Sequence, residues 1–134
     1  MDAKGGPIRG KALEYAFDFE RLEVYQLAIQ HAVRVFEITE HFPHRVQSSL
    51  GDQLCRASVS VANNIAEGSG KRSRKEKSRY YATAFSSARE CVPGITIAHE
   101  RRYLDDAARL ELRENVGRLC SMLARLEQSV SRTN

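Results

Sequence analysis

Apolar residues in this chain recur at intervals of three and four through four successive runs, and no segment shows the two-residue alternation of a half-buried strand. The last run is the cleanest: Leu112, Val116, Leu119, Leu123, Leu126 and Val130 form a coiled-coil-like seam. Leu110, Cys120 and Met122 widen that seam, so this helix is expected to face more than one neighbour, and its excess apolar width points to an oligomer. In the first run the expected stripe is Leu22, Tyr25, Ile29, Ala32, Val33 and Phe36, with Asp18 as cap and Phe42-Pro43 closing it.

The second run places Val46, Leu50, Leu54, Ala57, Val61 and Ile65 on one face and is expected to stop at Gly68 in the left-handed conformation. Ser73-Arg-Lys-Glu76 fits a capping box, so a third helix is expected from about Arg74 to about Arg102, with Tyr81, Ala84, Ala88, Cys91, Ile95 and Ala98 buried. Pro93 removes a backbone donor and crowds the preceding turn, which predicts a kink near Arg89 or a local break. Asp105 and Asp106 supply a carboxylate cap for the last helix. These patterns predict an all-α fold, an up-down-up-down antiparallel four-helix bundle over residues 18–131, preceded by a flexible arm over residues 1–17.

Charge is distributed unevenly over this frame. Between Ser69 and Arg79 stand Lys71, Arg72, Arg74, Lys75, Lys77 and Arg79 against the single acid Glu76. The remaining fifteen basic and sixteen acidic residues nearly cancel, so the net +4 resides in one turn between the second and third helices. Phosphate or a carboxylate-rich surface is its natural complement.

Other chemistries find little support. The glycines near position 70 do not make a nucleotide-binding loop, because Ile65 stands where that motif needs glycine, Arg72 where it needs serine or threonine, and a helix precedes where a strand belongs. No nucleophile and base stand at suggestive spacing; Ser86 and Ser87 fall inside a helix without one, and the expectation is a protein that is not an enzyme. Cys55, Cys91 and Cys120 are far apart and unpaired by motif, and read as reduced thiols. His31, His41, His44 and His99 lack partners at ligand spacing, so neither metal nor cofactor is expected. No apolar run approaches the roughly 18 to 20 residues that span a bilayer, and the first eleven residues lack the apolar core of a signal peptide. A single cytoplasmic domain with no membrane association is the expectation.

Ser60-Val-Ala-Asn-Asn-Ile-Ala-Glu-Gly68 sets polar side chains into an apolar stripe. Asn64 and Glu67 share a face near a negative helix end and should have partners, either in the turn backbone or in Lys71 and Arg72. Together with Phe19-x-x-Leu22, Phe42-Pro43, Gln53-Leu-Cys-Arg56-Ala57 and Gly70-Lys71-x-Ser73, this block resembles the four-helix-bundle family first noted as open reading frames in intervening sequences of bacterial large-subunit ribosomal RNA genes. The resemblance runs from about Phe19 to Val130. Ser86-Ser87-Ala88-Arg89-Glu90 keeps the serine and glutamate of a further block, while Pro93-Gly94 replaces the family's usual Thr-Gln. Arg56, Ser60, Asn64, Glu67, Gly68, Ser87 and Glu90 are thereby marked as a structural motif. The resemblance implies a homopentameric ring of four-helix protomers without established enzymatic activity. It also implies an architectural kinship with accessory proteins of reverse transcriptases in diversity-generating elements.

Two functions fit these features. In the first, an oligomeric, non-catalytic module binds nucleic acid, above all structured RNA, through Lys71, Arg72, Arg74, Lys75, Lys77 and Arg79, with Tyr80 available to stack on a base. In the second, the same basic turn docks a scaffold or accessory subunit on an acidic protein such as a reverse transcriptase.

Overall fold

A computed structural model describes residues 16–132, and everything said below about structure concerns those residues. The arm expected over residues 1–17 lies outside them except for Ala16 and Phe17. Four long helices account for the fold: α1 (Glu23–Thr39), α2 (Asp52–Ser69), α3 (Arg74–Glu100) and α4 (Asp106–Arg132). A 3-10 turn (Asp18–Arg21) precedes α1, and a short helix (His44–Val46) followed by a π-helical turn (Gln47–Gly51) leads into α2.

Pairwise contacts fix the topology. Thr39 Oγ1 at the end of α1 lies 3.4 Å from Cys55 Sγ near the start of α2. Ser78 donates to Glu127 (3.0 Å) and His99 meets Asp106 (2.6 Å), so α3 and α4 run in opposite directions. Arg34 Nε lies 3.0 Å from both carboxylate oxygens of Glu111 and ties α1 to α4. The result is the antiparallel four-helix bundle expected from the periodicity, with α1 beside α2 and α4, and α3 beside α2 and α4.

Every apolar residue assigned to the third stripe is buried, and Leu112, Val116, Leu119 and Leu123 form the matching wall of α4, with Leu126, Cys120 and Met122 packed at its edge. On α1 the expected stripe holds only in part: Ala32 is buried and Leu22 and Tyr25 pack against the core. Val24, Leu27, Ala28, His31, Val35 and Ile38 face the core, whereas Ile29, Val33 and Phe36 lie on the outside, 39%, 53% and 45% exposed. Two apolar stripes share this helix, and spacing alone does not say which one the bundle uses.

Helix ends bring further corrections. Asp18 does not cap α1: Leu22 occupies that position without a side-chain bond, and Glu20 instead accepts from the Phe17 amide at 2.8 Å in the preceding turn. Gly68 is not left-handed, since no described glycine has positive φ, and α2 runs on to Ser69. The left-handed residue is Arg102 (φ 65°), where the Tyr103 amide reaches back to Ala98 (2.8 Å) and closes α3. Ser73 caps α3 by accepting from the Glu76 amide at 3.1 Å, and Asp105 accepts from the Ala108 amide at 2.8 Å to cap α4. α3 continues unbroken through Pro93. Next to the proline, Gly94 leaves room for Leu54: a Cβ there would stand 2.8 Å from Leu54 Cδ2.

Gly68 serves close approach of α2 to α3. A Cβ on it would fall 2.9 Å from both Tyr80 Cβ and the ring of buried Tyr81. Neither obstacle is the free end of a flexible chain, so Gly68→Ala is expected to lower stability by about 1 to 3 kcal/mol in a denaturant melt. His31 supplies a second test. It is fully buried with both ring nitrogens unpartnered, and burial pulls its pKa down to about 4 against the opposing pull of Glu111. The unfolded chain therefore binds a proton that the folded one resists. Stability should be complete above about pH 6.5 and decline as pH falls toward 4, by about 3 kcal/mol from this group. Replacing it with leucine should flatten that part of a pH-dependent melting curve.

Candidate nucleic-acid interface

The basic turn joins two helix ends that are each tied down. The Gly70 amide donates to the Glu67 carbonyl and the Lys71 amide to the Gly68 carbonyl, both at 3.2 Å. Lys77 reaches back from the first turn of α3 and its ammonium donates to the carbonyls of Ser69 (2.9 Å) and Gly68 (3.4 Å). A cation at the carboxyl end of one helix is favoured by that helix's dipole, even though it emanates from the unfavourable amino end of the next. Lys77 is thus a cap for α2.

Two more of the seven candidate contact residues are engaged with a third. Lys71 pairs with Glu67 at 3.4 Å, and its Nζ lies 5.2 Å from the centre of the Tyr80 ring. The Arg79 guanidinium lies 5.1 Å from the same ring. Tyr80 is only partly exposed and already holds two cations, so a base stacking on it must displace one of them. Arg72, Arg74 and Lys75 stand exposed with no ion-pair partner among the described residues. Arg74, Lys75 and Arg79 line a cleft of about 520 Å³ that Glu127 and Ser131 of α4 close on the far side.

The motif residues divide into four groups. Ser60 and Ser87 share a hydrogen bond of 2.8 Å across the α2–α3 seam, and the Asn64 amide donates to the Ser60 carbonyl (2.8 Å) and hydroxyl (3.1 Å). Asn64 therefore bonds one turn back along its own helix and not the turn, whereas Glu67 takes Lys71 as its partner. Gly68 is the contact point for α3 described above. Arg56 and Glu90 bond none of these: they stand on the rim of a groove of about 520 Å³ between α2 and α3.

No three described His, Cys, Asp or Glu residues are grouped to hold a metal ion. Cys91 is buried, and burial pushes its thiol up to about 11, which keeps it protonated and unreactive. No helix among the described residues is long and apolar enough to cross a membrane.

A family profile described as 23S rRNA-intervening sequence protein matches residues 20–125, which takes in all of α1, α2 and α3 and most of α4. The chain belongs to this family. No curated protein matches it. In this 23S rRNA-intervening sequence protein α3 carries Pro93 without interruption. Sequence spacing missed the capping role of Lys77, whose acceptors are the backbone carbonyls of Gly68 and Ser69.

These bonds separate residues that the sequence grouped together. Asn64→Ala is expected to cost about 1 kcal/mol in a thermal or denaturant melt because it removes both bonds to Ser60. Glu67→Ala, at a mostly exposed ion pair, should change stability by less than about 1 kcal/mol.

Proposed function

We propose that this protein is a non-enzymatic nucleic-acid-binding module that uses the α2–α3 turn to engage phosphates, with structured RNA as its ligand. The observation that carries this reading is the set of unpaired cations Arg72, Arg74 and Lys75, joined at the cleft by Arg79, on a backbone fastened at both ends. A family defined by intervening sequences of 23S rRNA is in keeping with an RNA-associated role. Because the contacts are cationic and the nearby aromatic is engaged, recognition rests on phosphate geometry and carries little base preference.

We further propose that the chain self-assembles, with the homopentamer implied by the family resemblance as the expected state. Repetition of the turn around a ring multiplies a local field that concentrates polyanions. Cytoplasmic residence accompanies this reading.

Binding of an RNA duplex to the wild-type protein should weaken steeply with salt, with a log-log slope of about 0.7 to 0.9 per phosphate neutralised. Replacing Arg72, Arg74, Lys75 and Arg79 by glutamine should flatten that slope and leave the helical circular dichroism unchanged. Lys77→Gln should instead lower stability and alter the slope little. Absence of binding at about 50 mM salt, where screening is weak, rejects the nucleic-acid reading and assigns the turn to an acidic protein partner.

A further inference from the structure

Among the described residues, two groups of exposed apolar side chains lie on different sides of the bundle. The first is the outward stripe Ile29, Val33 and Phe36 of α1. Arg34 on one flank turns to Glu111 of α4 and Thr39 on the other turns to Cys55 of α2, so the stripe between them points away from the core. The second is the α2–α3 groove, floored by Leu50, Leu54, Ala57 and Gly94 and edged by Ile97, which is 51% exposed. Large apolar side chains grouped on a surface mark a contact site more often than isolated ones do.

Their shapes match, and an unpaired charge stands at the edge of each. One is a ridge of side chains at helical spacing; the other is a trough between α2 and α3 whose floor includes Leu54 packed onto Gly94. Glu40 continues the line of the stripe one turn beyond Phe36 and has no ion-pair partner among the described residues. Arg56 on the rim of the groove, which Glu90 shares, has none either, and in the proposed contact it is the partner for Glu40. We propose that these are the two halves of one contact, in which α1 of one copy lies in the α2–α3 groove of the next. Since the halves occupy different faces of each protomer, the contact is head-to-tail, and it closes into a ring when the rotation per copy permits. The proposal rests on the self-assembly proposed above and specifies its surfaces. The interface then lies on α1 and the α2–α3 groove, not on the α4 seam that the sequence pattern singles out.

Mixing two disabled variants tests it. By light scattering at tens of micromolar, wild type should exceed the 15.1 kDa chain mass, whereas Val33→Glu and Ile97→Glu should each give that mass with unchanged helical circular dichroism. Mixed one to one, the variants retain a single good pairing, the stripe of the Ile97→Glu copy in the groove of the Val33→Glu copy. The mixture should therefore form a pair of about twice the chain mass that cannot grow further. Phe36→Ser, a milder change on the same stripe, should weaken wild-type assembly at least tenfold. A wild-type monomer overturns both this proposal and self-assembly. Wild-type oligomers that persist in either variant, or a mixture that stays monomeric, leave self-assembly standing and overturn the assignment of its surfaces.

Discussion

The approach of α2 to α3 governs the rest of this structure. It is close because the facing residues are small: Gly68 against Tyr80 and Tyr81, Ser60 against Ser87, and Gly94 against Leu54. Small residues give up buried apolar area, and the compensation is dense contact along the seam with a hydrogen bond at its centre. The turn between these helices inherits its geometry from that contact. Lys77 can reach the last carbonyls of α2 because the two helix ends are pressed together.

Burial and charge thus have separate places in the molecule. Apolar walls from α3 and α4 complete the core, while the cationic excess is gathered where one helix hands over to the next. Within that excess the cations differ in kind. Lys77 holds backbone, Lys71 and Arg79 hold an aromatic ring, and Arg72, Arg74 and Lys75 hold nothing among the described residues. A count of positive charges in the sequence treats all six as alike; the structure ranks them by how much of their binding capacity is already used.

The fold was largely legible from spacing, because α2, α3 and α4 each carry one dominant apolar stripe and a polar remainder. α1 was legible only in part, because Ile29, Val33 and Phe36 repeat at the same intervals as Val24, Ala28 and His31, and a period without a phase cannot tell inside from outside. Pro93 was read as a local disturbance from its missing donor, yet α3 continues through it. At the site, Ser73 was legible as a cap because its partner is three residues away. Lys77 was not, because its acceptors are backbone carbonyls on another helix and leave no side-chain signature. Gly68 was legible as a special position for the wrong reason: a glycine at a helix end satisfies either a backbone angle or a steric demand, and only the neighbouring tyrosines decide between them.

For the proposed phosphate binding, fastening the turn at both ends bears on how fast a partner comes and goes. Backbone that is already ordered leaves only the long side chains of Arg72, Arg74, Lys75 and Arg79 to be immobilised, at about 0.5 to 1.5 kcal/mol each. Such a surface needs no folding step before it captures an anion, so encounter is limited by diffusion and electrostatic steering. In that binding mode each contact is made by one exposed side chain and can be lost singly, which would let a polyanion shift from one set of cations to the next without full release. A turn of this kind favours rapid sampling of many sites over long residence at one.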